Sequence, residues 1–182
     1  MNSLEILSNL NVNLSINSRK IAKNTILDLN ISAQDVLNFI KISDERNQVL
    51  FICVLDYIIE EFPDYLNESL NDFILLQENF KNETCKRCTS RIVFHILKQN
   101  SETFDKKQKN QLIDIHFDWL ISNSFVATRV NCLSVLFELR NEAEWIKTEL
   151  IGIIEQQIIL QEPSFVSRAK KILAKIHKEA NR

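Results

Sequence analysis

The sequence predicts an all-α protein assembled from stacked antiparallel helix pairs, and three observations carry that prediction. Sheets joined by tight turns need Gly or Pro at positions with special backbone angles, and this chain holds one Gly and two Pro in 182 residues. Apolar side chains recur at helical spacing between short polar breaks that return every twenty or so residues. Similar residue patterns also return at an interval near forty, the length of a two-helix unit. An apolar content of 45% is ample for a continuous core in a chain of one-domain length, so residues 1–182 are read as a single helical-repeat domain.

The segments are clearest beyond residue 44, where helices are predicted over 44–61, 63–79, 82–99, 103–122, 124–140, 142–160 and 164–179. Asn82, Ser124 and Ser164 are placed to cap the first free amides of their helices, and Pro63 suits a first-turn position. The short breaks force antiparallel neighbours. Helices over 3–10, 18–29 and 32–42 are separated by Asn-rich connections, and Ser32 with Asp35 resembles a capping box. We read 1–43 as an irregular N-terminal capping repeat and 44–180 as the regular repeats.

A formal charge of −2 and a pI near 6.0 lack the bulk signature of a dedicated nucleic-acid binder. No basic region followed by an apolar stretch and a small-residue cleavage site opens the chain, and the longest apolar run, over 49–59, is about half the ~20 residues of a membrane span. The expectation is a cytoplasmic protein with no membrane partner. Cys53, Cys85, Cys88 and Cys132 are scattered through helical patterns and are expected to be reduced, structural residues. Cys85 and Cys88 have CxxC spacing near a helix start, with Lys86 and Arg87 between them, but no βαβ setting and no second ligand pair accompany them. His95 and His116 show no ligand spacing. No cofactor and no metal are assigned.

The repeat is visible in particular residues. Ser124-Phe125-Val126 returns as Ser164-Phe165-Val166, and Leu133 and Leu136 are matched by Leu173 and Ile176 at the same interval of 40. Asn82, Arg87 and Cys88 precede Ser124, Arg129 and Val130 by 42, and Leu70, Leu112 and Leu150 occupy like places in the alternate helices. The run Phe125-Val126-Ala127-Thr128-Arg129-Val130 followed by Leu133 and Leu136 resembles the start of the second helix of a HEAT repeat, in the HEAT/armadillo class. The resemblance implies a right-handed solenoid of about four to five stacked helix pairs. It also implies a ladder in which a basic residue near that helix start pairs with an acid in an intra-repeat turn. Arg87 and Arg129 fit the basic position, and Arg168 fits within one residue. Asn79, Asn82, Asn123 and Ser124 stand where the family usually has a turn Asp and Pro.

On that assignment the second helices line the concave side, and the charges segregate. Lys86, Arg87, Arg91, Lys98, Arg129, Arg140, Arg168, Lys170, Lys171, Lys175, Lys178 and Arg182 face only Glu83, Glu138 and Glu179 on the last three inner helices. By contrast, 44–78 carries nine acids against Arg46 alone. The expected partner-binding residues are Arg87, Arg91, Arg129, Arg168, Lys171 and Lys175, which would attract a protein with an acidic segment, with a phosphate backbone ranked second. The competing reading is ordinary solvated cations, several of the Arg residues bracing neighbouring helices.

The aromatic residues Phe73, Phe94, Phe117, Trp119, Phe125, Phe137 and Trp145 follow the apolar periodicity and are expected in the core, with Trp119 and Trp145 the one arrangement hinting at a stacking platform. Asp114 and Asp118 share a helical face with His116 turned elsewhere, which reads as a solvated stripe before it reads as a catalytic pair. Gly152 is the only glycine, so no phosphate-cradling loop exists, and no catalytic residue is assigned. The first expectation is therefore a non-catalytic scaffold or adaptor using a concave helical face. The second is a nucleic-acid-associated HEAT protein similar to the alkylpurine DNA glycosylases, which place aromatic, Asp and Arg residues on a basic face. The third is an adenylosuccinate lyase, a label sometimes given to short helical chains of this kind. The lyases are much longer, and their loop of serines followed by Met-Pro has no counterpart, because Met1 is the sole methionine.

Overall fold

A computed structural model describes residues 2–160 and 162–180, so the expected cation Arg182 lies outside the described residues. The described residues form helices and connecting turns without a strand. The helices are α1 (Ser3–Asn9), α2 (Ile16–Asp28), α3 (Ala33–Ile42), α4 (Glu45–Glu61), α5 (Leu70–Glu78), α6 (Glu83–Gln99), α7 (Lys106–Ile121), α8 (Val126–Leu139), α9 (Glu144–Gln157) and α10 (Pro163–Ala180). They gather into two compact units, Met1–Thr103 and Phe104–Arg182.

Helix starts are set by local side-chain chemistry. Ser32 accepts from the Asp35 amide, Asp44 from Asn47 and Asn82 from Thr84, each satisfying an amide that the first turn leaves unpaired. Asp105 and Gln108 form a reciprocal capping box, which starts α7 three residues later than the periodicity suggests. Two expected caps are corrected. Ser124 is buried, shares a hydrogen bond with Ser122 and leaves the N-cap of α8 to Phe125. Ser164 lies inside the first turn of α10, which begins at Pro163.

The predicted single helix over 63–79 is a 3-10 helix, Pro63–Ser69, followed by α5. Its buried residues Leu66 and Ser69 are three apart, a spacing that three residues per turn keeps on one side. Asn30 has φ 51° at the end of α2, and the Ile31 amide reaches back to the Ile26 carbonyl, the αL termination that glycine normally supplies. At this one helix end asparagine takes the place of glycine.

In the N-terminal unit, α4 packs against α2, α3, α6 and the 3-10 helix. Nine of its residues between Leu50 and Ile59 are buried, so the longest apolar run of the sequence is a core helix. No helix among the described residues is long and apolar enough to cross a membrane. In the C-terminal unit α8 occupies the same kind of place, packed by α7, α9 and α10, and buries nine residues from Thr128 to Leu139. α10 is amphipathic, with Phe165, Ala169, Ile172 and Ile176 turned to α8.

The forty-residue echo holds in burial at Leu136 and Ile176 but not throughout. Leu133 is buried where Leu173 is half-buried, and Phe165 is buried where Phe125 is 70% exposed. The difference follows from position, because helices pack on several sides of α8 whereas α10 shows one long side to solvent. Leu133→Ala is accordingly expected to cost about 2–5 kcal/mol and Leu173→Ala clearly less, as measured by urea denaturation of both variants.

Candidate functional site

The six cations expected to bind a partner fall into distinct environments. Arg87 and Arg91 lie four apart on α6 in the N-terminal unit and are both half-buried. Arg91 sits 3.4 Å from the Asp56 carboxylate and 3.5 Å from Glu60. Burial pushes the Asp56 carboxyl up to about 6 against the opposing pull of Arg91. Arg91 is therefore held by the fold's own acids.

Arg129 is 8% exposed. Its guanidinium pairs with Glu162, donates to the Gln157 side chain at 3.1 Å and to the Ser124 carbonyl at 3.2 Å, and stacks over the Phe165 ring. Gln157 in turn donates to the Leu120 carbonyl at 2.9 Å. One guanidinium thereby ties α7, α8, α9 and α10 together within the C-terminal unit, as the bracing alternative anticipates for this residue.

Arg168, Lys171 and Lys175 are brought together. Their spacing of three and four places them on one side of α10, and all three are exposed. Lys178 extends the same stripe, with Lys170 further round the helix. Lys175 lies 5.2 Å from the Phe137 ring, and no acid among the described residues pairs with Arg168, Lys170, Lys171 or Lys178. The one acid of this helix, Glu179, is taken by Arg140, whose hydrogen bonds hold its carboxyl below the usual range. Lys170 and Lys178, omitted from the expected site, could have been found from the amphipathic phase of α10.

Other residues singled out in the sequence have clear places. Cys53, Cys85, Cys88 and Cys132 are all buried, and the Cys53 and Cys88 sulfurs meet at 3.6 Å between α4 and α6. Burial pushes the Cys85 thiol up to about 12. No cluster of three His, Cys, Asp or Glu side chains among the described residues has metal-binding geometry.

His116 is fully buried, its Nδ1 2.7 Å from the Leu112 carbonyl, and burial lowers it to about 4. Two expected core aromatics are corrected, since Phe125 and Trp145 are exposed. Trp145 pairs with Phe117, and Trp119 lies against His116 instead, so the two tryptophans form no platform. Asp114 and Asp118 are exposed on α7.

No family model matches the chain, and neither a curated protein nor a solved structure matches it significantly.

Two predictions test these placements. Arg129→Ala, which frees Glu162 and Gln157, is expected to lower stability by about 1–3 kcal/mol, whereas Arg168→Ala stays within about 0.5 kcal/mol, in denaturant titrations at neutral pH. His116 is neutral in the fold down to about 4, while the unfolded chain protonates it from about 6.5. Its contribution to stability is therefore complete above that upper value and is lost as pH falls towards 4, by about 3 kcal/mol. His116→Leu should flatten that loss, read by fluorescence-monitored unfolding at several pH values because both tryptophans lie in this unit.

Proposed function

We propose that the chain is a non-catalytic, cytoplasmic adaptor of HEAT/armadillo-like architecture, a right-handed solenoid that binds an acidic segment of a partner protein through the cationic stripe of α10. The stripe of Arg168, Lys171, Lys175 and Lys178 carries the binding reading, because these cations are exposed and none of them forms a salt bridge with an acid among the described residues. Held on a packed helix, they present positive charge without the cost of ordering a loop. Long side chains on such a stripe suit a run of carboxylates that can adjust its register.

Two observations support the architecture. Arg129, near the start of α8, pairs with Glu162 in the turn between α9 and α10, which is the kind of rung expected of a HEAT ladder. Leu70, Leu112 and Leu150, the matched residues of the alternate helices, are all buried. In this reading the repeats occupy 44–180 behind an N-terminal capping segment over 1–43.

The test is binding of the full chain to a labelled poly-glutamate peptide and to duplex DNA at two salt concentrations. The peptide is expected to bind at low salt with a modest salt dependence, and the triple variant R168E/K171E/K175E should lose at least about tenfold in affinity while keeping its melting temperature. Absence of peptide binding at low salt defeats the proposal. Binding of DNA alone, with a steep salt slope from counterion release, assigns the stripe to nucleic acid.

A further inference from the structure

The C-terminal unit carries a second surface, of opposite sign, that shares no residue with the α10 stripe and does not depend on the adaptor reading. On α7, Asp114, Phe117, Asp118 and Ile121 follow one another at spacings of three, one and three, which places all four on one face. On α9, Trp145, Glu149 and Ile153 repeat every four residues. Together they line an open groove of about 460 Å³. Phe117 and Ile153 are its buried floor, and Ile121 and Trp145 stand exposed. The Phe117 and Trp145 rings lie 5.7 Å apart at 31°.

Two features of the groove point to what fills it. Trp145 is 53% exposed, with Ile121 exposed beside it, and a cluster of exposed apolar side chains around an aromatic anchor marks a surface that gains by being covered. Its rim holds three exposed carboxylates, Asp114, Asp118 and Glu149, and no cation among the described residues pairs with any of them. This contrasts with Glu142, Glu162 and Glu179 of the same unit, each paired with the chain's own Lys109, Arg129 or Arg140. Cation–π contacts of the fold use other rings, so the accessible ring of Trp145 has no cation over it among the described residues.

We propose that the α7–α9 groove docks a basic segment of a partner protein, which lays an Arg side chain against Trp145 within reach of Asp114, Asp118 and Glu149. A guanidinium stacks on an indole face while its N–H groups donate to carboxylates, and its methylene stem covers apolar surface such as Ile121 and Ile153. Lysine offers the charge and the stem without the stacking plane. A nucleic-acid backbone is repelled by the same three acids.

The experiment titrates the full chain with a synthetic peptide of alternating Arg and Ala, its Lys counterpart, and a Glu counterpart as control. The Arg peptide is expected to bind saturably, to shift the tryptophan emission, and to bind more tightly than the Lys peptide; the Glu peptide, whose expected place is the α10 stripe, should leave the tryptophan emission unchanged. D114N/D118N/E149Q and, separately, W145A should each weaken Arg-peptide binding at least about tenfold without changing the circular-dichroism melt of the triple variant. The variant R168A/K171A/K175A should bind the Arg peptide as well as the unmodified chain does, so failure here and failure of the α10 reading are separately visible. The proposal is overturned by the absence of saturable binding, or by binding that survives neutralisation of the three acids. Sedimentation showing that the chain alone dimerises through Trp145 would also overturn it, because the occupant would then be a second copy.

Discussion

A helix buried on nearly every side leaves few places for polar groups, and α4 and α8 impose that constraint on everything packed around them. On α4, Asp56 enters the core, and one carboxylate oxygen meets Arg91 while the other finds no hydrogen-bond partner. The resulting desolvation raises its proton affinity. On α8, Ser134 satisfies its hydroxyl on the Val130 carbonyl one turn earlier, and Arg129 gathers the Gln157 side chain of α9, Glu162 of the turn after it and the Ser124 carbonyl around its guanidinium. The outer helices can then be amphipathic, since each has only one side to bury. The cationic stripe of α10 exists because Phe165, Ala169, Ile172 and Ile176 already anchor its inner side.

The all-helical class was legible because period and composition agreed at every level. Alternating strands and glycine turns were missing together, and Asn30 shows how asparagine ends a helix without glycine. Helix starts were legible where one side chain alone does the capping, as at Ser32 and Asn82. They were not at Ser124, because a cap also requires the extended backbone immediately before the helix, and here Phe125 holds that position. The 3-10 helix over Pro63–Ser69 was similarly hidden, since a three-residue and a 3.6-residue period differ little over two turns.

The candidate site was legible in charge and not in phase. Arg129 follows Ser124 by five residues and Arg168 follows Ser164 by four, a shift of one position between the two repeats. One residue rotates a side chain by about 100°, enough to carry a guanidinium from a buried network to open solvent. Trp145 and Phe125 show the corresponding problem for apolar residues. Both fit the periodicity of their helices, but periodicity identifies a preferred face without saying whether another helix covers it. The groove carboxylates Asp114 and Asp118 were recognised as one helical face; the missing element was Trp145 from α9, which only the packing supplies.

Pairing within the C-terminal unit gives its surface a character that the net charge of −2 conceals. Lys109, Arg129 and Arg140 are consumed by Glu142, Glu162 and Glu179, three of each sign, so these internal bonds cancel in the charge count. What remains for solvent includes a run of cations on α10 and three acids on α7 and α9. At physiological ionic strength, fields from exposed charges fade over about 8 Å, so a binding partner meets the local cluster of charges and not the average of the chain. Near neutrality of the whole chain is therefore compatible with strong local selectivity of both signs, and the chemistry of each surface has to be judged from the charges that the fold leaves unpaired.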